Sequence, residues 1–198
     1  MSVEHPEVEV EGRAQIVLSG VSSKFMGLPF RELVIAVSTT QEPAGSRRDE
    51  VYLVHASNSS RLLAWSERTF FATPYFHARI DVATGPPARI SVRQAGQELL
   101  RAELAADDKT SPREAIRTED ETWEGPIHIS SQRQFFARLG GVTRTIAFDA
   151  ARDLLNLQPF AGVPALQWLL DSGFRGQEWA IRDDAHHARS KTFRRKSA

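Results

Sequence analysis

The segment over residues 58–82, NSSRLLAWSERTFFATPYFHARIDV, constrains the fold more than any other part of the chain. It opens with Asn and Ser, whose side chains cap helices by accepting hydrogen bonds from the first free backbone N–H groups. Four residues then recur at helical spacing: Leu62, Leu63, Ser66 and Phe70. Pro74 ends the helix, because it lacks an N–H donor and forces the preceding residue out of the α region. We therefore predict a helix over residues 59–71, held on a sheet by Leu62 and Phe70.

A strictly alternating stretch follows Pro74 and predicts a β-strand. Its apolar side carries Phe76, Ala78, Ile80 and Val82, and its polar side carries Tyr75, His77, Arg79 and Asp81. Alternation alone favours polar residues in water and apolar residues in the core. In a barrel, the polar side would instead face the lumen. A tyrosine, a histidine and an arginine in one row would there provide a hydrogen-bond donor, a titratable group and a fixed cation.

The rest of the chain is typical of antiparallel β-structure with one more helix. Residues 30–39 are apolar on both sides of a predicted strand, as in strands that are buried on both faces. A second helix is predicted over residues 164–172, because a proline suits its first turn and a glycine follows its end. Gly140 and Gly141 are interpreted as a hairpin turn between two strands. About nine strands and two helices predict a mainly β (α+β) fold with a closed or nearly closed antiparallel sheet.

Length and composition predict a single domain over residues 1–198 that is soluble and cytoplasmic. The formal net charge is zero, which argues against a surface dedicated to nucleic acid or to an anionic membrane. The chain has no cysteine, and this excludes disulfides, a thiolate nucleophile and a cysteine-ligated metal. The N-terminus lacks the apolar core of a signal peptide, and no apolar run reaches the ~20 residues of a membrane helix. A polar, mobile loop is predicted at about residues 107–125 and a solvated basic tail at about residues 189–198.

Two charged residues stand among apolar neighbours and are candidates for a site. Glu32 opens the strand that is apolar on both faces, so it lies either at a solvated strand end or inside a desolvated cavity. Arg144 shares a strand face with apolar residues, and it either reaches a surface salt bridge or clamps a carboxylate. His186 and His187 are adjacent and would point apart on a strand, so no metal site is predicted.

Several segments resemble the acetoacetate decarboxylase-like superfamily. They are Phe30-Arg31-Glu32 before an apolar strand, a helix carrying Glu67-Arg68, and Pro74 six residues further on. The segment ERTFFATPYFHARI, and WLLDSGF followed by Trp and HARSKTF near the end, are similar to its uncharacterised YqjF-like branch. The resemblance covers roughly residues 12–104 and the last ~35 residues, and it implies a cone-like antiparallel β-barrel with a buried pocket.

The resemblance also assigns individual positions. The decarboxylases of the family carry two adjacent lysines after the proline, and the first forms a Schiff base with the β-keto acid. Tyr75 and Phe76 stand at these positions here, and neither can form an imine, so a Schiff-base decarboxylase is not expected. Glu32 corresponds to the active-site glutamate of the family, and Arg68 corresponds to the arginine at the end of the helix.

The match at Tyr75 places this residue, and by parity His77 and Arg79, toward the pocket. We therefore expect a buried pocket for a small acidic or carbonyl-containing molecule, with Glu32, Tyr75 and His77 as candidate catalytic acid–base groups. The candidate substrate-binding residues are Arg68, Arg79 and Arg144. The alternative is a non-catalytic ligand-binding or structural protein that kept the barrel and lost the chemistry. No cofactor, metal, nucleic acid or membrane is expected, and the sequence is compatible with a homo-oligomer.

Overall fold

The computed structural model describes residues 9–10, 13–40, 49–85, 87–106, 113–190 and 193–194. Within these ranges the chain forms two helices and fourteen strands. They are, in order, β1 Glu9–Val10, β2 Arg13–Phe25, β3 Leu28–Thr40, β4 Asp49–Asn58, α1 Arg61–Phe71, β5 Tyr75–His77, β6 Arg79–Ala83, β7 Arg89–Gln94, β8 Gln97–Glu103, β9 Arg117–Ser130, β10 Arg133–Ala147, β11 Leu154–Leu157, α2 Pro164–Asp171, β12 Glu178–Arg182, β13 His186–Arg189 and β14 Phe193–Arg194.

The described strands form a large sheet and a small sheet. The large sheet has the order β1-β2-β3-β4-β9-β10-β12, with β5 added to β4 and with β13 and β14 added to β10. The small sheet has the order β11-β8-β7-β6. The predicted mainly β (α+β) class with two helices is confirmed, and the large sheet is curled into a half-barrel. Its pairing is not antiparallel throughout, since β4 pairs in parallel with both β5 and β9.

Strand β3 separates two hydrophobic cores. Leu33 and Ile35 point to the first core, where the large sheet meets the small sheet and α2. Val34 points to the other face and packs against the second core. The second core consists of Leu53, Ala56, Tyr75 and Phe135. The prediction of a strand buried on both faces is therefore confirmed, and each fully buried Leu or Ile side chain stabilises the fold by about 1.5–3 kcal/mol.

Helix α1 begins and ends close to the predicted residues, but it meets the sheet with a different side. Ser60 caps its start by accepting a hydrogen bond from the backbone N–H of Leu63 at 3.3 Å. The prediction that Leu62 and Phe70 hold the helix on the sheet is wrong, because these side chains are 59% and 68% exposed. Ala64 is the buried residue of this helix. It lies about 200° around the helix from Leu62, so the apolar stripe and the packed side are opposite.

Helix α2 occupies the predicted position, with Pro164 in its first turn. Leu166 and Leu169 are buried in the first core as the predicted stripe requires, whereas Leu170 is exposed. None of the described helices is long and apolar enough to cross a membrane.

Two expected irregular segments contain strands. Of the loop predicted at 107–125, residues 107–112 lie outside the described residues, but residues 117–125 belong to β9 and pair with β10. Of the tail predicted at 189–198, residues 193–194 form β14 on β10, and residues 191–192 and 195–198 lie outside the described residues. Polar composition therefore misled the prediction, because a strand partner can satisfy the backbone of a segment whose side chains face water.

The hairpin predicted at Gly140 and Gly141 is also wrong, since β10 runs through both residues without a turn. The glycines instead allow neighbouring groups to come close. A Cβ atom at Gly140 would lie 2.6 Å from Nε2 of His186, and one at Gly141 would lie 2.9 Å from the carbonyl oxygen of Asp184. Glycine inside a strand often marks such a close approach.

A buried carboxylate ties the small sheet to the large one. Asp153 accepts four hydrogen bonds, from the backbone N–H groups of Ala105 (3.0 Å) and Asp149 (2.9 Å), from Nε1 of Trp179 (3.0 Å) and from Nη1 of Arg113 (2.5 Å). Ala105 follows β8 of the small sheet, and Trp179 lies in β12 of the large sheet. Burial by itself raises the pKa of Asp153, but the hydrogen bonds outweigh this effect and hold the pKa below its ordinary value.

Gly20 offers a direct test of how closely the two sheets pack. A Cβ atom at this position of β2 would lie 2.7 Å from Cγ1 of Ile90 in β7. We expect Gly20→Ala to lower the free energy of unfolding by about 1–3 kcal/mol, because the neighbouring side chain or the backbone must shift. Gly85→Ala is the control, since a Cβ atom there meets nothing within 4 Å. Equal urea midpoints for the two variants would contradict the close packing at Gly20.

Candidate functional site

Glu32 and Tyr75 meet although 43 residues separate them in sequence. The hydroxyl of Tyr75 donates a hydrogen bond of 2.7 Å to Oε1 of Glu32. Strand β4 lies between them, with Asn58 opposite Glu32 and Ala56 beside Tyr75. Tyr75 is only 3% exposed and belongs to the second core, whereas Glu32 is half-buried. A short hydrogen bond of this kind is strongest when the carboxyl group is ionised.

His77 and Arg79 do not join Glu32 and Tyr75 in an enclosed cavity. The chain leaves the large sheet after His77 and enters the small sheet at Arg79. Ala78 and Ile80 are buried in the first core, whereas the side chains of His77 and Arg79 are exposed. The interpretation that places the apolar residues in the core is therefore right for Ala78 and Ile80, and the interior-cavity interpretation is wrong for His77 and Arg79.

His77 and Arg79 instead line an open cleft of about 670 Å³, which we call the arginine cleft. Its floor is the outer, polar face of the small sheet, and its rim includes residues from β3, from β5 and from the turn before α1. The lining residues are Arg31, Ser59, His77, Arg79, Ile80, Asp81, Arg89, Ser91, Arg93, Glu98 and Arg101. Cations outnumber carboxylates in this set, which makes the cleft a candidate site for an anion.

Most arginines of the cleft have a carboxylate partner. Asp81 accepts two hydrogen bonds from Arg89, at 3.0 and 2.8 Å, and lies 4.0 Å from Nε of Arg31. The partner of Arg93 is Glu98 at 3.3 Å. Arg101 is also paired, and Glu103 lies 2.8 Å from its Nη2 atom. These pairs are largely exposed, so each contributes little to stability.

Arg79 differs from the other arginines of the cleft. Within the part of the chain that the structure describes, it has no carboxylate within 4.0 Å. Its direct cross-strand neighbour is Arg93. Like charges directly opposite each other on paired strands destabilise a sheet. The arrangement therefore leaves a cationic spot that an anion would stabilise.

The two remaining candidate arginines lie elsewhere. Arg68 is exposed in the last turn of α1, where a cation interacts favourably with the helix dipole. Arg144 is exposed in β10, and its Nη2 atom lies 3.4 Å from Oδ2 of Asp183. This contact agrees with the surface salt-bridge interpretation of Arg144. Neither arginine lines the arginine cleft. Among the described residues, no group of three or more His, Asp or Glu side chains is placed to hold a metal ion.

One buried polar pair was missed by the sequence analysis. Nε2 of His55 lies 2.9 Å from Oγ of Ser57, and the His55 ring stacks on Phe76 with centroids 5.5 Å apart. Burial lowers the pKa of His55 to about 4. The signal was present in the sequence, since residues 55 and 57 are two apart on a strand and must share a face. Neither residue lines the arginine cleft.

No family model and no curated protein matches the sequence. Similar solved structures include an acetoacetate decarboxylase from Legionella pneumophila subsp. pneumophila str. Philadelphia 1, at 11% identity and a TM-score of 0.46, covering 83% of this chain and 64% of that one. They also include the enduracididine biosynthesis enzyme MppR with HEPES buffer bound, at 12% identity and a TM-score of 0.43, covering 85% and 64% of the two chains. MppR complexed with pyruvate matches at 10% identity and a TM-score of 0.40, covering 84% and 63%.

The chain thus spans somewhat under two thirds of the length of these structures. The expected likeness to an acetoacetate decarboxylase is found at the level of the backbone.

The buried His55 predicts a pH dependence of stability. The folded protein holds this imidazole neutral down to about pH 4, whereas the unfolded chain takes up the proton near pH 6.5, the ordinary pKa of an exposed histidine. The stability from this group is therefore present above about pH 6.5 and falls as the pH is lowered toward 4, by about 3 kcal/mol in total. Urea denaturation of the parent and of His55→Gln over this pH range measures the effect. We expect a shallower slope for His55→Gln but not for the exposed control His187→Gln, and identical slopes for all three proteins would contradict the assignment.

Proposed function

We propose that this protein binds a small organic anion in the arginine cleft, with Arg79 and Arg93 as the residues that hold its carboxylate. The observation that supports this most is their position directly opposite each other on β6 and β7, with only Arg93 paired to a carboxylate among the described residues. A carboxylate between two guanidinium groups would relieve their repulsion and accept bidentate hydrogen bonds.

The surroundings of Arg79 suit a ligand of modest size. A cleft of about 670 Å³ falls within the range of small-molecule sites in proteins. His77 and Ser59 lie at its rim and add polar groups that can fix the orientation of a ligand. Candidate ligands are therefore small acidic molecules, including those that also carry a carbonyl group.

A second candidate function is acid–base catalysis without a Schiff base, and the hydrogen bond between Tyr75 and Glu32 favours it. A carboxylate and a phenol at 2.7 Å form a donor–acceptor pair that can exchange a proton with a bound substrate. Tyr75 stands where the related decarboxylases carry their imine-forming lysine, so covalent catalysis at this position is not part of the proposal. The other alternative is a protein that binds its ligand and catalyses nothing.

Three further assignments belong to the same proposal. Membership of the YqjF-like branch is supported by the segment over residues 67–80 and by the WLLDSGF pattern that contributes to α2. A cytoplasmic location is compatible with the absence of cysteine from the chain, since the fold needs no disulfide. A small molecule, rather than nucleic acid or a membrane, is supported as the partner by the zero net charge.

The proposal predicts that Arg79 controls anion binding. A panel of small carboxylates would be screened by thermal shift, because a ligand at 100 times its dissociation constant adds about 2.7 kcal/mol of stability. We expect Arg79→Ala to remove most of this stabilisation for any ligand found, since one of two facing guanidinium groups is lost. Arg144→Ala is the matched control, an exposed arginine outside the cleft. Equal binding by Arg79→Ala and Arg144→Ala, measured by calorimetry, would refute the site.

The catalytic alternative predicts proton exchange at carbon. If Glu32 acts as a general base, the protein should accelerate the exchange of methyl protons of pyruvate for deuterium in heavy water, followed by NMR. We expect Glu32→Gln to slow this exchange by about 100-fold, within the usual contribution of a general base. Arg144→Ala should leave it unchanged. If the parent protein gives no acceleration, proton exchange at pyruvate is rejected. If Glu32→Gln retains the acceleration, Glu32 is not the general base.

A further inference from the structure

With His77 neutral, the arginine cleft carries two more positive than negative charges. The five arginines that line it are Arg31, Arg79, Arg89, Arg93 and Arg101. The three carboxylates that lie among these arginines or pair with them are Asp81, Glu98 and Glu103. A single carboxylate bound between Arg79 and Arg93 would leave one positive charge in excess. The whole chain has no net charge, so the excess is a local property of the cleft.

Ser91 lies at the centre of the polar face of the small sheet. Asp81 of β6 lies opposite Ser91 of β7, and Arg101 of β8 lies opposite it on the other side. Arg89 and Arg93 stand two residues away on the same strand and therefore share this face. A serine is much shorter than these arginines, so it leaves a gap among them. Within the described part of the chain, the Ser91 hydroxyl makes no hydrogen bond, and it can donate one to a ligand in this gap.

The charged neighbours of Ser91 leave this gap suitable for an anion. The charge of Asp81 is already offset by Arg89, which donates two hydrogen bonds to it. On the other side, Arg101 contacts Glu103 through its Nε and Nη2 atoms, and its side chain is 43% exposed. A guanidinium group carries five N–H donors. Arg101 therefore has donors left for a ligand group that lies over Ser91.

We propose that the ligand of the arginine cleft is a dicarboxylate, with its first carboxylate between Arg79 and Arg93 and its second over Ser91, beside Arg101. This inference rests on the function proposed above and adds a second subsite to it. Two carboxylates neutralise the excess charge of the cleft, whereas one does not. Alternate residues of a strand, such as Ser91 and Arg93, are about 6.6 Å apart. The two carboxylates are therefore joined by a chain of several carbon atoms.

Three small ligands distinguish the two subsites when their binding is measured by calorimetry at neutral pH and low salt. Glutarate has two carboxylates on a chain of several carbons, its monoamide has one charge at the same length, and malonate has two charges on a chain too short to reach both subsites. We expect glutarate to bind at least ~10-fold more tightly than either, because only glutarate gains the second charge-assisted contact. If no carboxylate of the panel described above binds, the proposed function and this inference both fail. If the monoamide or malonate binds as tightly as glutarate, the proposed function stands and the second subsite is rejected.

Arg101 and Glu103 provide two variants with opposite expected effects. Arg101→Gln should weaken the binding of glutarate by ~10-fold and that of the monoamide much less, because only glutarate occupies the second subsite. Glu103→Gln should tighten the binding of glutarate, since it releases Arg101 from its partner. Arg144→Ala, outside the cleft, is the control that should change neither affinity, and urea denaturation checks that each variant is folded. Equal losses for glutarate and its monoamide in Arg101→Gln would overturn the second subsite, as would weaker binding of glutarate by Glu103→Gln.

Discussion

Strand β3 is buried on both faces, and the alternation of its side chains sends its two charged residues, Arg31 and Glu32, to opposite sides of the large sheet. Arg31 and Glu32 are adjacent in sequence, but successive side chains of a strand point to opposite faces. Arg31 therefore lines the arginine cleft, whereas Glu32 accepts the hydrogen bond from Tyr75 beside the second core. The candidate residues expected in one enclosed pocket therefore lie in two places, with His77 and Arg79 in the arginine cleft and Glu32 and Tyr75 beside the second core.

The arginine cleft also depends on how firmly the small sheet is held, because its floor is the outer face of that sheet. The inner face packs in the first core, and Gly20 lets Ile90 approach the large sheet closely. At the other end, Asp153 ties Ala105, two residues past the end of β8, to Trp179 of β12. Buried carboxylates with several donors are strongly favoured only when the donors are held in place. Arg79 and Arg93 are thereby carried on a sheet that is held in place from both ends, which suits the binding site proposed above.

The arginine cleft and the hydrogen-bonded pair of Glu32 and Tyr75 suit different chemistry. Tyr75 is nearly inaccessible, so the pair that it forms with Glu32 can act on a molecule only if that molecule reaches Glu32, which is half-buried. The arginine cleft is open, and its charges are therefore exposed to screening by salt. A pair that is shielded from water on the Tyr75 side suits proton transfer, and an open row of guanidinium groups suits recognition of an anion. This contrast is the physical reason for assigning binding, and not catalysis, to the cleft.

Local chemistry in the sequence was sufficient to predict both helices and the doubly buried β3. Caps, prolines and the pattern of apolar residues act within a few residues. The resemblance assigned Glu32 and Tyr75 to one expected pocket, and the structure shows the hydrogen bond between them. Only the tertiary structure decided which side of α1 meets the sheet, because Ala64 packs there and Leu62 and Phe70 do not. The tertiary structure also decided that the polar residues 117–125 form part of β9, and that the chain crosses from the large sheet to the small sheet after His77. Each depends on a partner distant in sequence, and a local pattern contains no information on which partner satisfies its backbone or covers its apolar face.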